Sequence, residues 1–289
     1  MNFREAKIVT RFDYKNLVRS APGVTFLILY LYVAINLGAW LAEQLRGTAT
    51  LGGGANVDPE MARQATNSLL VKIVSWFLGG KDEVVRFLVF DRPVAMSAFF
   101  LLSLLVMPIL VLFLSFNQIS GYVSRRSIRY IVPKTGRLEL YLGLFASNLL
   151  FFSLVSGALT AVMTVGWVLA SKDVGTGVVV GYSLQILAAV WLSCIPIIAL
   201  MSMLAAMTGS PVATVFLGLG TYLVVILAGY FMSAQTEWGK VFYYLLPLEP
   251  KYWFAYPSVG HFIGAGALML LYAAAYLALG WLFLRRRNL

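Results

Sequence analysis

Few residues in this sequence have the chemistry of a catalyst. Of 289 residues, one is cysteine, Cys194, and one is histidine, His261. A lone cysteine forms no disulfide within the chain and no multi-cysteine metal site. A lone histidine builds neither a His-rich metal site nor a His-Glu-x-x-His protease motif. Cys194 sits inside an apolar run and reads as a small packing residue. His261 stands at the edge of the last apolar run, with no serine and acid placed to complete a triad. A Walker A pattern and a Gly-rich nucleotide fingerprint are both missing, so the sequence predicts no catalytic residue, no metal and no cofactor on this chain.

The distinctive chemistry is cationic. Ser124-Arg125-Arg126-Ser127-Ile128-Arg129-Tyr130-Ile131-Val132 reads as a short basic helix, followed by Pro133-Lys134-Thr135-Gly136-Arg137. One reading gives these cations to lipid headgroups and topology; the other has the helix lie parallel to the membrane and dock into a partner. A second basic stretch, with Arg4, Lys7, Arg11, Lys15 and Arg19, is interleaved with Phe3, Ile8, Phe12, Leu17 and Val18. It fits an amphipathic helix over residues 1–21 in an anionic interface, or an ordinary basic flank.

The elements that position these residues follow from composition. The chain is 60% hydrophobic and 12% charged, whereas soluble domains carry about 45–50% apolar and about 25% charged residues. That excludes a water-soluble fold. Six apolar runs reach the ~20 residues that cross a bilayer: 22–42, 94–116, 138–170, 177–207, 212–233 and 262–284. The expectation is an all-α integral membrane protein, a single transmembrane domain over 1–289. Helices satisfy their own backbone in lipid, and continuous apolar runs are not the alternating pattern of a barrel.

Positive charge sets the orientation. With the N-terminus inside, the inner segments hold 13 Lys/Arg and three acids, Glu5, Asp13 and Glu139; the outer ones hold nine of each. All of the +10 formal charge then lies inside, with both termini cytoplasmic, and the charge does not suggest nucleic acid as a partner.

The outside loops span 43–93 and 234–261. The first carries a predicted amphipathic helix from Pro59 to Leu78 and a short apolar stretch, Val84 to Phe90. The second holds Trp238, Phe242, Tyr243, Tyr244, Tyr252, Trp253, Phe254 and Tyr256 among Pro247, Pro250 and Pro257. The prolines oppose one continuous helix, which leaves short interfacial or re-entrant pieces. The aromatics form a belt at the interface or a platform for substrate. The spans carry no Asp, Glu, Lys or Arg away from their ends, which disfavours proton coupling. Pro108 and Pro196 are candidate helix bends.

These features together resemble the membrane-spanning permease subunits of type-2 ABC transporters, the ABC exporter permease family. The residues that carry the resemblance are Ser120, Ser127-Ile128, Pro133 to Arg137, the run through Arg19-Ser20-Ala21-Pro22, and the end at Arg285-Arg286-Arg287-Asn288-Leu289. Asn117 stands where the family commonly has an acid, and Tyr122 roughly where it has Glu. The resemblance implies six spans, an N-terminal amphipathic elbow helix and a cytoplasmic coupling helix within 117–137. It also implies pairing with a second permease copy, as a homodimer or with a homologue, in the cytoplasmic membrane of a prokaryote. A separate ABC-type ATPase subunit, holding ATP and Mg, would dock on Gln118, Ser120, Arg125, Arg126, Arg129 and Arg137. Transport, in the export direction, would then be driven from that partner. Two other readings remain open: a membrane scaffold or assembly subunit using the same inner loop, and an ion-coupled secondary transporter.

Overall fold

The protein is seen in a computed structural model that describes residues 3–19, 92–124, 135–170, 175–235, 241 and 243–286, with isolated positions between 24 and 36 and between 84 and 88. Its helices are α1 (Phe3–Arg19), α2 (Val94–Ser115), α3 (Asn117–Ser124), α4 (Arg137–Ala170), α5 (Thr176–Thr208), α6 (Pro211–Gln235) and α7 (Val259–Arg286), with a 3-10 turn at Pro250–Ala255. Five helical stretches among the described residues are long and apolar enough to cross a membrane: Met96–Ser124, Arg137–Leu169, Thr176–Thr208, Pro211–Met232 and Val259–Arg286. Val24, Thr25, Ile28, Tyr32, Ile35 and Asn36 of the expected first span are helical. The rest of that span, the Pro59–Leu78 helix, most of the Val84–Phe90 stretch and the basic segment from Arg125 to Lys134 lie outside the described residues.

The helix ends follow local rules. Gly209 takes a left-handed conformation (φ 66°) and its N–H bonds Ala205 O at 3.0 Å, stopping α5. Glycine bears that conformation without steric cost. Pro211, which lacks a helical donor, then opens α6 at its first position. Gly136, just ahead of α4, also takes a left-handed conformation (φ 73°).

Side-chain neighbours fix the topology. Ser97 and Tyr182 hydroxyls meet at 2.9 Å, and Gly218 lies against both Leu112 and Met201; α2 therefore runs parallel to α5. Gly266 faces Leu192 and Gly280 faces Met203, so α7 also runs parallel to α5. Ser153 accepts from Trp191 Nε1 at 2.6 Å and Thr164 meets Ser183 at 2.7 Å, so α4 is antiparallel to it. One end of the bundle, here the upper, holds Val94, Thr176 and Val259. The lower end holds Ser115, Arg137, Thr208, Pro211 and Arg286.

Helix α5 is the centre. From Val179 to Ala206 it buries most of its side chains, including Cys194, against α2, α4, α6 and α7. Helix α6 is the opposite case: Phe216, Leu223, Val224, Tyr230 and Phe231 are all exposed. Aqueous exposure of so continuous an apolar surface is untenable for a monomer, whereas lipid or a second membrane protein covers it without cost.

Candidate functional site at the junction of α1, α3 and α4

At the lower end α1, α3 and α4 meet. Along one face of α1, Val9, Asp13 and Leu17 follow at four-residue intervals. That spacing returns a helix to the same side, and this side is turned into the bundle. Opposite it, α4 presents Gly143, where a side chain would strike Val9 Cβ at 2.9 Å and Ala6 O at 3.0 Å. Only the absent side chain lets the two backbones come this close. Thr10 uses the approach: its hydroxyl reaches Gly143 O at 3.1 Å as well as Ala6 O at 2.9 Å.

One turn further along both helices, Asp13 is 7% exposed. Its carboxylate accepts from the Ser147 hydroxyl of α4 at 2.5 Å and from the Tyr122 hydroxyl of α3 at 3.2 Å. Contacts that advance together in this way mean that α1 runs beside α4 over this stretch. One face of α1 is therefore built into the protein. Its other face exposes Phe3, Ile8 and Phe12 together with Arg4, Lys7, Arg11, Lys15 and Arg19.

The residues expected to dock a partner are placed unequally. Backbone helix continues past the expected end of the second span, through α3 to Ser124, so Gln118 is helical. Ser120 is fully buried and donates back to Phe116 O, so its hydroxyl is turned into the bundle. Arg137 has partners within the chain. Its guanidinium donates to Arg285 O at 3.0 Å and reaches Leu284 O at 3.5 Å, where a cation neutralises the carbonyl end of α7. It joins α4 to α7. Arg125, Arg126 and Arg129 lie outside the described residues. Pro196 is buried within α5.

The upper end shows a second departure. The aromatic connection between α6 and α7 is more than an interface belt: Phe254 and Ala255 are fully buried, Leu246 nearly so, and Tyr252, Trp253 and Tyr256 pack on the same core. His261 stacks on Tyr256, with centroids 4.6 Å apart. Lys251 is buried with them, and burial pushes its ammonium down from 10.5 to about 8. A base whose folded pKa is depressed binds fewer protons than in the unfolded chain between those values. Stability contributed through Lys251 therefore rises as pH climbs from about 8 towards 10.5, and its cost is fully present below pH 8. Thermal unfolding of the native chain and of Lys251→Met across that window should show the native chain gaining relative to the variant. Parallel pH curves for the two would contradict this.

Two of these features escaped sequence reasoning. Asp13 was legible as an acid on the apolar side of an amphipathic helix, four residues from Val9 and from Leu17. Lys251 had no such mark, because its loop reads as polar-aromatic surface. Among the described residues the architecture is all-helical, with five helical stretches long and apolar enough to cross a membrane and a polar junction at one end of the bundle. No protein-family model and no curated protein matches this chain.

Proposed function

We propose that this chain is the permease subunit of an ATP-driven transporter of the type-2 ABC class, working with a separate ATPase subunit and a second permease copy. The observation that carries the reading is the junction, where Asp13 joins the N-terminal helix to α4 and to α3, the helix that the basic segment 125–134 follows in sequence. A force applied at that segment passes directly into α3 and α2, and through Asp13 into α1 and α4. On this reading the lower end faces the cytoplasm and residues 22–42 supply the sixth span. Helix α4, with 34 residues, is about 50 Å long and exceeds the ~30 Å hydrocarbon layer. Its first turns, with Gly143 and Ser147, can then lie near the headgroups. The outward cations and Phe3, Ile8 and Phe12 of α1 suit the same depth. The family commonly has an acid near Tyr122; here Asp13 brings a carboxylate to that residue from another helix.

The test is copurification. The full chain should retain an ATP-hydrolysing subunit, and Arg125→Glu combined with Arg126→Glu should reduce its binding at least about tenfold, because two charge reversals at a basic docking surface oppose the partner's potential. ATP-dependent flux in vesicles should be lost with it. Failure to retain any ATPase under all nucleotide conditions would sink the reading. Binding that is lost without any ATP-dependent flux in the native complex would point instead to a scaffold.

A further inference from the structure

Pro108 has no amide hydrogen, so the carbonyl four residues earlier in α2, Leu104 O, loses its helical donor. The Nζ of Lys251 stands 3.3 Å from that oxygen. Lys251 is 6% exposed, and its ammonium also lies 4.9 Å from the centroid of the Tyr252 ring. Among the described residues these are its interactions, and neither is with a carboxylate.

The depth of this pair is unusual for a connecting loop. Leu104 is about 15 Å below the upper end of α2, taking 1.5 Å per residue from Val94. The same connection is tied on its other side to α7, where the Tyr272 hydroxyl donates to Tyr244 O and the Tyr276 hydroxyl to Leu245 O at 3.2 Å. Those tyrosines also lie near the middle of their helix. An ammonium buried without an anion is costly, and so is a carbonyl without a donor in an apolar interior. Each group here relieves part of the other's cost.

We propose that Lys251 supplies the hydrogen bond that Pro108 removes, and that the pair latches the α6–α7 connection to α2. Bending of α2 at Pro108 and displacement of the connection are then one motion. The latch stands whether or not the chain is a transporter. If it is, the latch ties the loop on the far side of the bundle to the helix that enters the coupling junction.

The test is a double-mutant cycle on the full chain in detergent or nanodiscs at pH 7. Lys251→Met should lower the thermal midpoint in the native background. In Pro108→Ala the amide of residue 108 can close on Leu104 O, and the same Lys251→Met change should be neutral or stabilising, because only the cost of burying the ammonium is then removed. Amide exchange of the α2 residues flanking Pro108 should accelerate by about tenfold in Lys251→Met and return to native rates in the double variant. Lys251→Arg, which keeps a cationic donor, should stay close to native. Equal midpoint shifts in both backgrounds, or unchanged α2 exchange, would overturn the latch. If Lys251→Met alone does not accumulate as folded protein, the double variant decides: recovery supports the latch and continued failure overturns it.

Discussion

Replacing Asp13 with alanine is expected to detach α1 from the bundle. The carboxylate accepts hydroxyl hydrogens from Ser147 and Tyr122, and both donors lie in a packed junction. Hydrogen bonds to a charged group contribute about 1.5–3 kcal/mol each, and donors stranded in a buried site add their own desolvation cost. A loss of about 2–4 kcal/mol for the docked helix follows, discounted from the simple sum because the two bonds share one acceptor and are not additive. Limited proteolysis should release the N-terminal segment from Asp13→Ala under conditions that spare the native chain. Tyr122→Phe should lose less, since it keeps the ring and leaves Ser147 bound. Under the proposed function, Asp13→Ala should also lower ATP-driven flux more than it lowers ATPase binding, because the partner would dock on a segment no longer tied to α1. Native resistance to proteolysis in Asp13→Ala would show that apolar packing at Val9, Leu17 and Gly143 holds α1 alone.

The second large effect is expected at Gly280. There α7 meets α4 and α5 together: a side chain would collide with the Tyr141 hydroxyl and come within 2.9 Å of Met203 Cα. Tyr141 could move, but Met203 Cα is backbone and α5 is the packed centre of the bundle. Helices in lipid associate through close van der Waals packing at small residues. Overpacking costs about 1–3 kcal/mol, so Gly280→Ala should lower the thermal midpoint clearly and Gly280→Leu should prevent stable packing. The hydroxyl of Tyr141 is buried without a hydrogen-bond partner among the described residues. Removing it in Tyr141→Phe should be neutral or stabilising and should recover part of the Gly280→Ala loss. An unaltered midpoint in Gly280→Ala would mean that α7 stands off from α5.

Much of the fold was legible because lipid imposes a simple rule on sequence. A membrane-crossing helix must be apolar along its length, and the five observed helices start and stop within a few residues of the runs at 94–116, 138–170, 177–207, 212–233 and 262–284. Gly209 and Pro211 were readable for a local reason too, since a left-handed stop and a donor-free start are properties of those residues themselves. Lys251 shows where this legibility ends. The loop around it is proline-broken and aromatic, which sequence reads equally as surface belt or inserted piece. Its burial depends on a carbonyl 147 positions away, and nothing in either segment alone announces the match.

Composition and periodicity therefore determined that this chain is helical, apolar and basic at particular connections. Those properties are written residue by residue and need no knowledge of neighbours. Tertiary structure alone decided which helices run side by side, that Asp13 meets Tyr122 and Ser147, that Arg137 and Ser120 serve the bundle, and that Lys251 finds the oxygen Pro108 left bare. Each of these is a pairing between distant segments. A single polar group in an apolar interior is stable only when a particular partner arrives, and that partner is chosen by packing rather than by sequence spacing.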